Sequence, residues 1–139
     1  MLTNFFSQFN LWAVLVASIA YFAIGAIWYS PALFSNKWMQ AIGKTKEELK
    51  AGSNPSIFIS TFIAIVISVI VLSGVVTLLG ANGAVEGFEA GLLMAVAFVG
   101  TSSLINSLFA GRSRELYYID LGYHVVGLAI AGIILGIWH

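Results

Sequence analysis

The chain has 139 residues, of which 60% are hydrophobic and 9% are charged. Soluble globular domains carry about 25% charged residues, so this chain lacks the polar surface of a soluble fold. The net charge of zero argues against nucleic-acid binding, and the absence of cysteine excludes disulfides, thiolate nucleophiles and cysteine metal sites. We expect residues 1–139 to form a single transmembrane domain.

The charged residues are confined to three short windows, at 37–50, 86–89 and 112–120. Around these windows lie apolar stretches of roughly 19 to 25 residues, the length that crosses a ~30 Å hydrocarbon core as an α-helix. The pattern predicts an all-α integral membrane bundle of four transmembrane helices. The predicted spans are about 11–29, 55–79, 85–109 and 114–138.

The first span is predicted to begin after Asn10, a residue suited to cap a helix N-terminus. It should end before Pro31, because the residue that precedes a proline disfavours helical geometry. A signal peptide has a basic N-terminal region, whereas residues 1–10 hold no lysine or arginine. We therefore expect this helix to be retained in the membrane.

The loop between the first and second spans contains a capping-box pattern, TKEE at 45–48. This pattern predicts a short interfacial helix near 45–51. Asn54 followed by Pro55 is a favoured helix start and should open the second span. Ser113 should cap the fourth span.

The fourth span divides into sectors when its residues are placed at helical spacing. Two narrow sectors hold small or polar residues: Asp120, His124, Gly127 and Ala131 on one side, and Gly122, Ala129, Gly132 and Gly136 on the other. A bulky sector lies between them: Ile119, Tyr123, Val126, Ile130, Ile133 and Ile137. Small residues let membrane helices approach closely, so we expect the bulky sector to face lipid or a partner subunit. The spacings Gly87–Gly91 and Gly132–Gly136 match the close-packing motif, although such matches arise easily in a glycine-rich chain.

Orientation follows from the lysine and arginine residues, which concentrate in cytoplasmic loops. The first loop holds Lys37, Lys44, Lys46 and Lys50, and the third loop holds Arg112 and Arg114. We therefore predict a protein of the cell (inner or plasma) membrane, with loops 1 and 3 cytoplasmic and with loop 2 and both termini outside. Topology is the simplest role for these residues, and contact with lipid headgroups is the alternative for the arginines.

Two segments resemble a known family. Residues 25–31 (GAIWYSP), followed by Phe34 and Trp38, resemble the exit of the first helix in an uncharacterised membrane family, domain of unknown function 1761. Residues 120–124 (DLGYH) resemble the fourth helix of that family. The resemblance covers nearly the whole chain and implies a four-helix membrane protein, mostly bacterial, without an established activity.

Polar residues within the third and fourth spans form a candidate intramembrane cluster. Asp120 and His124 are four residues apart and share one helix face. By helical rise, Asn106 should lie at about the depth of Asp120, and Ser102 and Ser103 at about that of His124. These side chains could face one another across the hairpin of the third and fourth spans.

Two interpretations of this cluster stay open. It could be a proton-accepting or ligand-binding site, in which His124 titrates near neutral pH. It could also be structural, with Asp120 orienting the His124 ring or accepting a tyrosine hydroxyl. We weigh the structural interpretation more heavily, because hydrogen bonds between membrane helices are common.

Three further residues are candidates for entrances. Glu86 and Glu89 complement the dipole at the N-terminus of the third span, and the alternative is an outer vestibule that attracts cations. Tyr29 forms an interfacial aromatic pair with Trp28, and the alternative is that it lines a cytoplasmic entrance.

Three classes of function fit this pattern. Permeation or proton-linked transport of a small solute ranks first, and a structural or accessory membrane protein acting through helix packing and oligomerisation ranks second. An enzyme acting on a lipid or quinone ranks last, because no nucleophile or metal set is present. His124 and His139 should lie at opposite depths, so we expect no metal site, and we expect no cofactor. The expected partners are the lipid bilayer and either further copies of the chain or a larger membrane complex.

Overall fold

The computed structural model describes residues 2–6 and 10–138. This part of the chain is helical and contains no strand. Its long helices are apolar enough to cross a membrane, and we call them the first to fourth spans: Leu11–Trp28, Pro55–Leu78, Ala84–Phe109 and Arg114–Ile137. The predicted all-α architecture with four membrane-spanning helices is confirmed, and the predicted ends differ from the observed ones by a single residue at most.

The helix starts follow the predicted caps. The Asn10, Asn54 and Ser113 side chains each accept a hydrogen bond from a backbone N–H in the first turn of the helix that follows. Thr45 forms the predicted capping box, and the short helix behind it is Lys46–Ala51. These side chains satisfy donors that the helix itself leaves unpaired, which is why so local a pattern predicts the boundaries well.

Three elements were not predicted. Two are short helices, Leu2–Phe6 and Ser35–Ile42. The third is a π-helical segment, Ala95–Gly100, within the third span. The loop helix Ser35–Ile42 brings Trp38 to the end of the first span, where its ring lies 5.6 Å from the ring of Tyr29.

Backbone contact joins the third and fourth spans over their glycines. A Cβ atom added at Gly87 would lie 2.1 Å from the Gly132 carbonyl oxygen, and one at Gly136 would lie 2.2 Å from that of Gly83. At Gly91 the nearest atom, also at 2.1 Å, is the carbonyl oxygen of Leu128. The glycine spacings therefore act within the chain, and these faces are not free for a partner subunit.

The bulky sector of the fourth span does not all face outward. Ile119 and Tyr123 are buried, and the prediction that they face lipid or a partner is wrong. Aromatic residues of the first span cover them: the Trp28 Nε1–H, for example, donates to the carbonyl oxygen of Ile119 at 2.9 Å. Ile137, at the other end of the sector, is exposed as predicted.

The two ends of the bundle differ in charge. Trp38 of the first loop and Arg112 of the third loop line the same cavity, so the loops that carry lysine and arginine lie at one end, the basic end. Gly83 of the second loop contacts Gly136 at the opposite end, the acidic end, close to Glu86. The predicted cytoplasmic orientation of the basic end stays a prediction.

Candidate functional site

Two adjacent aromatic residues hold the exit of the first span against the fourth span. The Tyr29 hydroxyl donates to Asp120 Oδ1 at 2.7 Å. One residue earlier, Trp28 donates to the backbone of Ile119. Asp120 is half-buried, and the hydrogen bond that it accepts comes from the residue that caps the end of the first span.

His124 also has its partner on the first span. The Tyr21 hydroxyl lies 2.6 Å from His124 Nδ1, and the tautomer of the ring decides which group donates. The other ring nitrogen, Nε2, has no hydrogen bond to a described residue. Every buried side-chain nitrogen or oxygen of the described residues has a hydrogen-bonding partner. Because Nε2 has no such partner, it is not buried, and it is accessible from a cavity that His124 lines.

Tyr123 packs between these two hydrogen-bonded pairs. Its ring centroid lies 5.3 Å from that of Tyr21, 5.6 Å from that of Tyr29 and 4.9 Å from that of His124. Its hydroxyl reaches the Tyr21 carbonyl oxygen at 3.4 Å. The site is therefore a cluster of three tyrosines around an aspartate and a histidine.

Glycines make room for these rings. A Cβ at Gly25 would lie 3.0 Å from the Tyr123 hydroxyl oxygen, and one at Gly122 would lie 2.7 Å from the Trp28 ring. The two segments that carry the family resemblance, 25–31 and 120–124, thus pack directly against each other.

A cavity of about 1000 Å³ opens beside this cluster at the basic end. Its polar lining includes Tyr29, Ser103, Asn106, Arg112, Asp120 and His124. A second cavity, of about 450 Å³, lies deeper and is mostly apolar. Thr61, Tyr123 and His124 line both cavities, so the imidazole stands at their junction.

The π-helical segment lies at the boundary between the closely packed and the open parts of the third and fourth spans. Before it, the third span contacts the fourth span closely, and after it the contacts become sparse. A π turn holds one residue more than an α-helical turn, which rotates the helix beyond it, and such turns are frequent at functional sites. At the end of this segment the Gly100 carbonyl oxygen accepts the Tyr117 hydroxyl at 3.0 Å, which bridges the two spans as they diverge.

The structure brings together most of the predicted cluster. Asp120, His124, Ser103 and Asn106 line the same cavity, whereas Ser102 lines neither of the two cavities and is exposed. The serines and the asparagine form no hydrogen bond with Asp120 or His124 within the described part of the chain. Asp120 and His124 instead form hydrogen bonds with Tyr29 and Tyr21, at the end of the first span and within it. Helical depth alone did not identify these two tyrosines as partners.

Tyr21, Tyr123, Trp38 and Thr61 are site residues that the candidate cluster omitted. The tyrosines carried a signal, because hydroxyl-bearing rings within a span need a hydrogen-bonding partner when they are buried. Thr61 carried none, since its hydroxyl bonds to the carbonyl oxygen of Ile57 in its own helix.

The predicted entrance residues separate between the two ends. Tyr29 lines the larger cavity. Glu86 and Glu89 are exposed at the acidic end and line neither cavity, and Glu86 lies in the first helical turn, where it complements the helix dipole.

The basic residues are all exposed at the opposite end: Lys37, Lys44, Lys46, Lys50, Arg112 and Arg114. Among residues 2–6 and 10–138 there is no group of three or more histidine, aspartate and glutamate side chains that could hold a metal ion. His139 lies outside the described residues.

These features define a helical protein with four spans long and apolar enough to cross a membrane, and with an open cavity at the basic end that polar and apolar side chains line together. The chain belongs to the family described as protein of unknown function (DUF1761), whose model matches residues 12–136. Comparisons with curated proteins and with solved structures gave no match. The family assignment agrees with the resemblance seen in the sequence and supplies no activity.

Proposed function

We propose that the protein binds a small solute in the cavity at the basic end and exchanges it in a proton-linked manner. The observation that carries this proposal is a carboxylate, Asp120, and an imidazole, His124, lining one large cavity within the spans. Ionisable groups inside a membrane are costly, and they commonly mark substrate or proton pathways.

The hydrogen bonds around His124 suit a group that gains and loses a proton. A proton that arrives from the cavity at Nε2 turns both ring nitrogens into donors. The Tyr21 hydroxyl, 2.6 Å from Nδ1, can accept as well as donate. This contact can therefore persist in both protonation states, and the ring stays in place.

Few ionisable groups surround the aspartate and the histidine. Tyr21 and Tyr29 face them from the first span, Tyr117 and Tyr123 from their own helix, and Arg112 from the third loop. The second and third spans contribute only neutral polar groups to the cavity: Thr61, Ser103, Asn106 and Ser107. Asp120 and His124 are thus the groups on which proton exchange would centre.

The proposed exchange is with the basic end. Towards the acidic end, buried apolar side chains such as Val14, Val69 and Val76 fill the bundle. Passage of a solute across the membrane would require this core to rearrange, as in transporters that alternate between two conformations.

Labelling of single cysteines tests whether the cavity is hydrated. The natural chain has no cysteine, so each variant carries a single thiol. Ser103→Cys should react with a membrane-impermeant maleimide from the basic end. Its neighbour Ser102→Cys, at nearly the same depth but outside the cavities, should not react. Equal labelling of the two positions would contradict a water-filled cavity.

Proton movement tests the exchange itself. In liposomes that contain a pH indicator, addition of a transported solute should move protons with the natural protein and with Glu115→Gln. Asp120→Asn and His124→Ala should abolish this movement while the proteins stay folded. Glu115 is the matched control, because it is an exposed acid on the same helix that lies outside the cavity. Proton movement that is unchanged in both cavity variants would refute the proposal.

A role through self-association gains no support from helix packing. Gly87, Gly91, Gly132 and Gly136 contact the neighbouring span within the same chain. No helix face formed by these four glycines is therefore left uncovered to support the predicted homo-oligomer or larger membrane complex.

A further inference from the structure

We infer that the solute is an organic cation with an apolar body, such as an alkylammonium ion, which reaches the cavity sideways from the bilayer. This inference rests on the proposed function and names the class of solute that the same site would take. It combines the charge of the cavity, its aromatic lining and its opening between the second and third spans.

The charge inside the cavity favours a cation. Asp120 Oδ1 accepts the Tyr29 hydroxyl, and no ion pair with Asp120 exists among the described residues. Oδ2 has no hydrogen-bonding partner there, and it is not buried, so it is available to a ligand. Arg112 also lines the cavity, but it belongs to the exposed loop at the mouth. A carboxylate held inside a membrane without a counter-ion is stabilised by a ligand of opposite charge.

The aromatic lining favours an ammonium group in particular. Tyr29, Trp38, Tyr117 and Tyr123 line the same cavity as Asp120. The Tyr29 ring meets the rings of Trp38 and Tyr123 at 66° and 70°, each with a centroid distance of 5.6 Å. Aromatic faces attract cations, and groups of aromatic side chains commonly surround alkylated ammonium groups in proteins. The same faces repel an anionic headgroup.

The deeper cavity provides room for an apolar body. It adjoins the larger cavity at Thr61, Tyr123 and His124. Beyond this junction its lining is mainly aliphatic and aromatic, and it includes Ile65, Leu72, Met94, Phe98 and Leu128. An alkyl chain attached to an ammonium group at Asp120 can extend past His124 into this space.

The opening between the second and third spans leads to the bilayer. The second span has few contacts with the part of the third span that follows the π-helical segment. Ile57 and Phe58 line the larger cavity and are also exposed on the outer surface, as Ile67 and Phe98 are for the deeper cavity. Apolar side chains at such a gap allow an amphipathic ligand to enter from lipid without exposing its chain to water.

Binding of decyltrimethylammonium tests the inference. Equilibrium dialysis against the full chain in lipid nanodiscs, corrected for empty nanodiscs, should show saturable binding of the labelled cation. Decanol and decyl sulfate, of equal chain length but neutral and anionic, should not compete. Asp120→Asn should weaken binding by about tenfold or more, because the ligand charge loses its partner, and Glu115→Gln should leave it unchanged.

Two further variants separate the headgroup site from the chain site. Trp38→Leu should weaken binding of both decyltrimethylammonium and tetramethylammonium, whereas Trp38→Phe should retain most of it, because an aromatic face remains. Thr61→Trp fills the junction of the two cavities and should weaken binding of the decyl compound more than that of tetramethylammonium. Circular dichroism and size-exclusion chromatography establish that each variant is folded.

The outcomes distinguish this inference from the proposed function. Equal competition by decanol, or wild-type affinity in Asp120→Asn, would overturn the assignment of an organic cation. If Ser103→Cys is still labelled and proton movement still depends on Asp120, the proposed function stands without this class of solute. If Ser103→Cys is not labelled and proton movement does not depend on Asp120, both the proposed function and this inference are refuted.

Discussion

The third and fourth spans pack together in two different ways along their length. Towards the acidic end, Gly87 and Gly132 bring the two backbones into contact, and there is no space between the helices. Beyond the π-helical segment, towards the basic end, the same helices diverge and border a cavity of about 1000 Å³. The comparison teaches that one helix pair can anchor a bundle at one end and leave room for a ligand at the other, because close packing holds the open end in place.

The largest effect on stability is expected from an extra methyl group where the backbones of the third and fourth spans are in contact. Gly132→Ala places a Cβ 2.1 Å from the Gly87 carbonyl oxygen, and a backbone atom cannot move aside as a side chain can. Overpacking of this kind costs about 1–3 kcal/mol or more, so the free energy of unfolding in detergent should fall by at least that amount. Gly52→Ala is the matched control, since its nearest neighbour lies at 3.6 Å. Equal stability of the two variants would mean that the helices are not in backbone contact.

The next effect concerns the boundary between the two regions. Deletion of Val96, an exposed residue of the π-helical segment, should convert the segment into regular α-helix. The helix beyond it then rotates by about 100°, which turns Ser103 away from the cavity. Maleimide labelling of Ser103→Cys should be lost, while Val96→Leu should leave it intact. Unchanged labelling after the deletion would show that the cavity does not depend on the π turn.

A smaller effect is expected at the hydrogen bond that pins the first span to the open region. Tyr29→Phe removes the hydroxyl that donates to Asp120 and keeps the ring contacts. Hydrogen bonds between membrane helices contribute about 0.6 kcal/mol on average and about 1.7 at most, so unfolding should become easier by an amount in this range. Tyr118→Phe, at an exposed tyrosine of the fourth span, should have no measurable effect on stability.

The smallest effect is expected at the acidic end. Glu86→Gln removes a negative charge from an exposed first helical turn, which should cost at most about 1 kcal/mol through the helix dipole. Proton movement and labelling of Ser103→Cys should not change, because Glu86 lines neither cavity. A marked loss of proton movement would instead support the alternative that these glutamates form a cation-attracting entrance.

The sequence by itself determined the spans, their caps and the presence of ionisable groups within those spans. Hydropathy and capping are local properties, so Asn10, Asn54 and Ser113 mark helix starts whatever the rest of the chain does. Asp120 and His124 were recognisable as one helix face for the same reason, since their spacing lies within a single helix.

Only the tertiary structure decided which groups meet. The partners of Asp120 and His124 are tyrosines about a hundred positions away in the chain, and their approach depends on how the first span is rotated and seated against the fourth. The burial of Tyr123 has the same origin, because Gly25 of the first span leaves the space that its ring fills. Local periodicity carries no information on neighbouring helices or on the rotation that a single π turn introduces, and the cavity lies where these two features meet.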